Sequence, residues 1–591
     1  MDQQKRLLLA IALSFGLTLV WTNFIWKPQA EAELAAMDAG VEFVVDGGTA
    51  VAAAPPPAVL EDGGVAEIAP SEPPPAEAAL REIKIDRPTT RMVFTTEGAG
   101  LVSAELTGER EREEKHLTIA EGWQKLFGKK FEPAPHMNLA RPVLGTSPNL
   151  GLSITGANPV TRLARYEVVE ETPEKVVFKT RQGVWEVTRT FTWNQKPPHD
   201  TDPTPYVSEL GVTVKNVSGS AQQGELGVHT VRSIDVGAEE APSMFGGIGN
   251  QASVLCRHDD DVLRKTPPSK GWFSSGEPEW AEEKQGALSF VGIDQQYFLT
   301  VLWPKDAAVT GRCVVTAKPN QREAAMFMPL TLQPGESMTR TFNVFMGPKD
   351  LSMLQNLDAS GFDARLEKTV DFGLWAFICK ILIFFLRFFQ NLVGNWGVAI
   401  ILLTVMVKVL LLPLTHKAMV SAEAMKKLQP KMEEIRKKHP DDREKQNLEM
   451  MKLYQEAKMN PLGGCLPMLV QLPIWAALFT TLRTSYELYG EPFFGVWSNL
   501  TTKDPTYILP LLLGVTMIVT QRLQPQMMDK QQALLMTWVM PVFFTAIMMN
   551  YPAGLALYIF TNNLLSIVQQ FALRRYLASK EAGPAVPGAA K

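Results

Sequence analysis

Residues Trp396–Thr415 read WGVAIILLTVMVKVLLLPLT. The run is long enough to cross a bilayer as a helix, which takes ~20 predominantly apolar residues. One full charge, Lys408, lies inside it, and Thr404 falls four residues earlier on the same helical face. An ammonium at mid-span costs ~2.5–3.5 kcal/mol on insertion scales. Two readings of Lys408 follow. It snorkels, because it sits about three residues past the middle of the span, roughly 5 Å at the ~1.5 Å rise of a helix, within reach of a lysine stem. Or it lines a polar, water-containing groove that receives something acidic.

The rest of the chain sets the context. With 591 residues, 46% of them hydrophobic, and a formal net charge of -4, it is too long for one ordinary domain. Long uncharged runs crowd the last third, while the middle reads as a soluble β domain. An acidic segment follows the first apolar run and a basic segment follows Thr415. The cysteines Cys256, Cys313, Cys379 and Cys465 make neither a disulfide framework nor a metal set. Cys256 and Cys313 share the middle domain and could pair or stay separate thiols.

Residues 1–27 are expected to form an N-terminal transmembrane anchor. Lys5 and Arg6 precede the apolar run Leu7–Trp26, which ends in interface-type aromatics and Lys27. A cleaved signal peptide ending near Ala30-Glu31-Ala32 is the alternative, disfavoured by the length of the apolar run. Residues 28–80 are an Ala/Pro-rich acidic linker with too little apolar surface to order itself.

Residues 81–350 carry recurrent strand signals. In Val184–Trp193 the residues Trp185, Val187, Phe191 and Trp193 alternate with Glu186, Thr188, Thr190 and Thr192, the period of a half-buried antiparallel strand. Many such runs predict a large β-sandwich. This region has no HExxH, GxSxG or Walker A pattern. His229 could be a sugar-enzyme base, but a hydrogen-bonded structural histidine is the favoured reading.

Residues 351–393 connect to the bundle and include the amphipathic run Asp371–Asn391. Lys380 and Arg387 fall on nearly one face of it, which suits a helix lying in the membrane interface. A crossing there would put the basic loop outside, against the positive-inside rule. Residues 394–416 form the second span and 417–461 a basic cytoplasmic hairpin. Met425, Leu428, Met432 and Ile435 make a seam in it, His439-Pro440 breaks the helix, and Asp441 with Glu444 restarts it. The hairpin cations, including Lys431, Arg436, Lys437 and Lys438, hold the loop in the cytoplasm or also dock an acidic partner. Residues 462–576 hold spans three to six, and 577–591 form a cytoplasmic tail. No acidic residue lies in any span, which weakens a proton-coupled transporter reading.

The runs GNWGVAIILLTVMVKVLLLPLT from Gly394, LQPKMEEIRKKHPDD from Leu428, KMNPLGGCLPMLVQLPIWAAL from Lys458 and YPAGLALYIFTNNLLSIVQQ from Tyr551 resemble the YidC/Oxa/Alb family of membrane protein insertases. The anchor and large outer domain resemble the Gram-negative type. The resemblance implies an α-helical polytopic membrane protein with six spans and a five-helix core, plus a periplasmic all-β supersandwich domain. It implies a non-enzymatic insertase and chaperone of the bacterial inner membrane, with both termini cytoplasmic and no cofactor or metal. It also implies a positively charged groove to which Lys408, Thr404, Gln471, Leu472, Trp475, Tyr558 and Asn563 correspond. Lys408 stands where the family usually has arginine, so the charge is kept without the bidentate fork. Implied partners are nascent integral membrane proteins, the Sec translocon, the ribosome with the signal-recognition-particle pathway, and membrane lipids, with no specific nucleic-acid sequence. The alternatives are a small-solute transporter and an anchored periplasmic carbohydrate-processing enzyme.

Overall fold

The computed structural model describes residues 79–581, apart from 114–116, 142–146, 198–201, 235–251, 260, 266–279, 306–308, 319–320, 358–364, 440–441, 458–465, 496 and 524–532. The expected anchor at 1–27, the linker as far as residue 78, and the tail from 582 lie outside the described residues.

The β domain is antiparallel throughout. Strands β1 (Glu82–Asp86), β2 (Thr90–Thr95) and β3 (Leu101–Leu106) form a three-stranded sheet. Helix α1 (Ile119–Leu126) follows, with Thr118 and Glu121 forming a reciprocal capping box at its start. The second sheet has thirteen strands among the described residues. They are β4 (Gly151–Gly156), β5 (Glu167–Thr172), β6 (Lys175–Gln182), β7 (Trp185–Trp193), β8 (Val207–Asn216), β9 (Gln222–Ser233), β10 (Ser253–His258), β11 (Asp261–Lys265), β12 (Trp280–Asp294), β13 (Phe298–Pro304), β14 (Val309–Lys318), β15 (Gln321–Leu332) and β16 (Ser337–Pro348).

The main path runs β4-β9-β15-β14-β12-β13-β16-β8-β7-β6-β5, with β10 and β11 branching from β12. A twisted sheet of this size must split or curl, and β12 is the corner. Its first half, Trp280–Leu288, pairs with β14, and its last residues, Val291–Asp294, pair with β13. Both halves of the sheet feed one hydrophobic core. Cys256 on β10 and Cys313 on β14 form a disulfide, closing the alternative that the sequence left open.

Strand β7 alternates buried and half-buried as its sequence predicts, with one addition. Arg189 falls on the inward face and is fully buried. Its guanidinium donates to the carbonyls of Gly98 (2.6 Å) and Leu150 and lies over the Phe191 ring. Burial lowers its pKa to about 10.

Helix α2 (Leu351–Leu357) leads into the helical unit. Helix α3 (Ala376–Val393) buries Cys379, Leu382, Ile383 and Leu386, an i, i+3, i+4, i+7 stripe. Its opposite face exposes Phe377, Ile381, Phe384, Phe388 and Leu392. Gly394 in the left-handed region ends α3, and Asn395 caps the next helix by accepting from the Val398 amide. That helix, α4 (Trp396–Lys438), is 43 residues long and contains Pro413 and Pro430. The expected boundary at 416/417 is therefore not a break: the span and the first hairpin helix are one continuous rod. It ends at His439 as expected. Helix α5 (Arg443–Glu456) restarts one residue later than the sequence suggested, because Asp442, not Asp441, accepts from the Lys445 amide. Then come α6 (Leu466–Thr484), α7 (Ile508–Leu523), a π turn at Leu535–Val539 running into α8 (Met540–Met548), and α9 (Ala553–Glu581).

Among the described residues, Gly373–Val393 and Trp396–His416 are long and apolar enough to cross a membrane, and Ile508–Leu523 and Leu535–Met548 are shorter apolar helices. The segment expected to lie in the interface thus passes the length and composition test for a span.

Candidate functional site

The β domain meets the helices at the loop between α6 and α7. Arg110 donates to the carbonyls of Glu487 (3.0 Å) and Tyr489 (3.1 Å) and pairs with Glu491 at 3.1 Å. Glu111 is buried there and accepts from the hydroxyls of Tyr206 (3.0 Å) and Tyr486 (3.3 Å). Burial raises its pKa despite those bonds. Arg387 on α3 does not face water beside Lys380, as the sequence pattern suggested. It turns inward to Glu487, Asp350 and Ser352. A buried carboxylate such as Glu487 is too costly to leave without a partner.

The same loop holds the starts of α4 and α9. Asn395 donates to the Phe493 carbonyl at 3.0 Å. The amides of Ala553 and Gly554 donate to the carbonyls of Thr502 (2.7 Å) and Leu500 (2.9 Å). From that end α4 and α9 run side by side in the same direction. Gly554 faces Ile400, Lys408 bonds Ser566, and Gln569 donates to Thr415 at 2.9 Å.

Lys408 is half-buried in this seam. Its ammonium donates to the Ser566 hydroxyl at 2.7 Å, and Ser566 donates back to the Asn562 carbonyl at 2.8 Å. Among the described residues no carboxylate pairs with Lys408. An ammonium has three donors, so the bond to Ser566 leaves capacity for an incoming acceptor. Ser566 was visible as a polar residue of the last span, but nothing in the sequence tied it to Lys408.

The other expected groove residues divide. Asn563, one turn before Ser566, and Gln471 on α6 are half-buried, while Leu472 and Trp475 are exposed. Trp475 stacks on Phe479 at 5.8 Å. Thr404 and Tyr558 are 2% and 4% exposed and pack inside the helical unit. Thr404 spends its hydroxyl on the Ile400 carbonyl at 2.7 Å. Of the expected polar groove residues, Lys408, Asn563 and Gln471 thus keep partial exposure, as does Ser566.

In the hairpin, Lys431, Lys437 and Lys438 are exposed. The side chains of Arg436 and Met425 lie outside the described residues. Met432 and Leu453 are buried between α4 and α5, and the Tyr454 hydroxyl reaches the Met432 sulfur at 3.7 Å. In the β domain, His229 is buried with both ring nitrogens engaged, by Ser153 at 2.8 Å and Glu323 at 2.9 Å. Burial lowers its pKa, so the imidazole is neutral. Glu323 also receives Arg162 at 2.5 Å. This is a cross-strand polar ladder on β4, β9 and β15.

Apolar helices with a lysine in a polar seam, carrying a large β domain at one end, define a class: helical membrane proteins with an extramembrane β domain. Comparison with known proteins narrows it. The family model described as 60Kd inner membrane protein matches residues 388–580, and the model for the YidC periplasmic domain matches residues 163–385. The membrane protein insertase YidC of Anaeromyxobacter sp. (strain Fw109-5) is 37% identical, covering 88% of this chain and 88% of the relative. That of Geobacter metallireducens is 31% identical, covering 98% and 100%. The chain belongs to the YidC family of membrane protein insertases. Among solved structures, an active YidC insertase is 20% identical, with TM-score 0.34, covering 84% of this chain and 94% of that one. A galactose mutarotase related enzyme from Lactobacillus acidophilus is 12% identical, with TM-score 0.26, covering 45% and 97%.

Proposed function

We propose that this protein inserts integral membrane proteins into the bacterial inner membrane and helps them fold, alone or beside the Sec translocon. Six spans cross the bilayer: 1–27, 394–416 and four within 462–576. Both termini are cytoplasmic, the 81–350 domain is periplasmic, and the Asp371–Asn391 helix lies in the outer interface. The parallel course of α4 and α9 supports this arrangement, since the second and sixth spans must then run the same way. The polar flank of a client enters the α4–α9 seam beside Lys408 and Asn563, with Gln471 of α6 as a further contact, while its apolar segment passes to lipid at ~25 cal/mol per Å² of apolar surface removed from water. The protein itself performs no covalent chemistry. The exposed lysines of the hairpin meet the ribosome or the signal-recognition-particle pathway.

The observation that carries this reading is Lys408, half-buried and bonded to Ser566 at 2.7 Å. A lysine that only snorkelled would reach for the headgroups, not for a neighbouring helix. Photocrosslinkers at Gln471 and Asn563 should capture stalled nascent membrane proteins, and one at Lys380 should not. Equal capture from all three positions would remove the seam from the mechanism.

A further inference from the structure

Helix α1 is the strongest feature that insertion leaves unused. Ile119, Trp123 and Leu126, followed by Phe127, fall at i, i+4, i+7 and i+8, a single helical stripe. All four are exposed, at 50%, 40%, 41% and 83%. A soluble domain gains nothing from such a patch, and aromatic residues beside aliphatic ones suit a membrane–water interface.

The flank of α1 next to the stripe fixes where the helix sits. A Cβ on Gly122 would stand 2.4 Å from the Pro505 carbonyl oxygen, so the helix backbone rests directly on that residue. Lys125 donates to Ser498 at 2.6 Å. Pro505 lies three residues before α7 begins at Ile508, and the exposed apolar side chains of α7 begin at Leu511. Hence the helix that bears the stripe is seated on the segment that leads into α7, three residues before α7 begins. Beside it is a cleft of about 660 Å³ between the 109–134 segment and the α6–α7 loop, lined by six lysines and arginines against three glutamates. Lys129, Lys130 and Lys503 are among those cations.

We infer that α1 is a membrane-surface anchor of the β domain. Trp123, Leu126 and Phe127 enter the headgroup–acyl boundary of the outer leaflet, and the cleft at Lys129, Lys130 and Lys503 receives the phosphate of an anionic phospholipid. The inference rests on the reading of α7 as a span. Short amphipathic helices bind a bilayer by buried apolar area together with attraction to anionic lipid, and both elements are present here. The bilayer is the occupant that fits, because α1 rests on the segment leading into α7, whose exposed apolar side chains begin at Leu511, and because cations line the adjoining cleft.

The test uses the full chain in nanodiscs, with Cys379 and Cys465 replaced by serine and an environment-sensitive fluorophore on one new cysteine. Phe127→Cys is the probe, Leu511→Cys the lipid-facing reference and Glu336→Cys the aqueous reference. Lipids brominated on the acyl chain should quench the labels at 127 and 511 at least ~2-fold, and leave 336 unchanged, as expected for a helix at the acyl boundary. Replacing phosphatidylglycerol by phosphatidylcholine should weaken quenching at 127, and Lys129→Glu with Lys130→Glu should abolish that lipid dependence. Quenching at 511 but not at 127 overturns the anchor while leaving α7 a span. Absence of quenching at 511 instead overturns the span reading. Equal quenching at 127 in both lipids overturns the phosphate cleft, and crosslinking of residue 127 between two copies of the chain would make the stripe a protein interface.

Discussion

Removing the charge at Lys408 separates a client-receiving groove from a membrane-depth anchor. Lys408→Ala deletes the donor to Ser566, but Ser566 keeps its bond to the Asn562 carbonyl, so no buried polar group is orphaned. The variant should therefore fold. At ~6 Å and an effective dielectric of ~20, one client carboxylate gains about 332/(20 × 6), or ~2.8 kcal/mol, from the ammonium. The seam is half-exposed, and water screening cuts this to ~1.4 kcal/mol, roughly tenfold in rate. Insertion of a client whose translocated tail carries one or two acidic residues should fall by about that factor per carboxylate engaged, while neutral-tailed clients are spared. Lys408→Glu adds repulsion and should be about a further tenfold worse. Lys408→Arg should match the parent. The assay is protease protection of one client with graded tail charge, in proteoliposomes holding equal amounts of each variant. If Lys408→Glu inserts acidic tails as fast as the parent, Lys408 only sets depth in the membrane and the seam receives nothing.

The other expectations concern stability and docking. Burial raises the Glu111 pKa, so the folded state binds its proton more tightly than the unfolded state does. Its stabilising contribution is complete below the unfolded carboxylate pKa and is lost as pH rises through the folded value. Glu111→Gln should thus raise the unfolding midpoint at pH 7.5 and lose that advantage toward pH 4; an unchanged midpoint at pH 7.5 counts against it. Cys256 and Cys313 are 57 residues apart in sequence, so replacing both by serine should cost ~4 kcal/mol on the chain-entropy account. Thermal unfolding with and without reductant checks this, since reductant should lower the parent and leave the double variant unmoved. Charge reversal at Lys437 and Lys438 should weaken ribosome co-sedimentation at low salt without altering helicity, because both side chains are exposed and the packing of Met432 against α5 is left intact.

Periodicity made much of the fold legible. The alternation in Val184–Trp193 gave β7 its inward face, and Trp396–Thr415 announced the helix that carries the seam. Pairing was not legible. Arg189 occupies an inward position because two carbonyls from distant segments, at Gly98 and Leu150, converge there, and no local pattern encodes that meeting. The same limit hid Ser566, 158 residues from Lys408. Periodicity names the face of a helix but not its neighbour. Thr404 and Tyr558 show the converse, since a polar residue on the right face can still be consumed by its own helix or by the core. The sequence divides span from hairpin at 416/417, yet α4 runs on through Pro413 and Pro430, because one lost backbone bond does not break a helix held along its length by neighbours.

The joint between β domain and bundle yields a prediction that depends on a few residues. Deleting residues 81–349 removes Arg110, Glu111 and Tyr206 from the α6–α7 loop, but leaves Arg387 with all three partners, Glu487, Asp350 and Ser352. Deleting residues 81–357 removes the same groups and also strips Asp350 and Ser352. The shared losses cancel, so the difference between the two truncations reports what Arg387 loses together with the packing of α2, whose Leu351 lies against the helical core. Hydrogen bonds to charged groups contribute ~1.5–3 kcal/mol each. Asp350 also carries negative charge near Glu487, which offsets part of its bond to Arg387 and puts the Arg387 share of the difference at about 1–3 kcal/mol, to which the loss of α2 adds. The longer deletion should unfold at the lower temperature when the two are compared in one detergent by circular dichroism at 222 nm. Asp350→Asn in the shorter truncation should fall between them, because the amide still accepts from Arg387 but lacks the charge. If all three share one midpoint, the Glu487–Arg387 pair is sufficient by itself and Asp350 is only a spectator at the domain boundary.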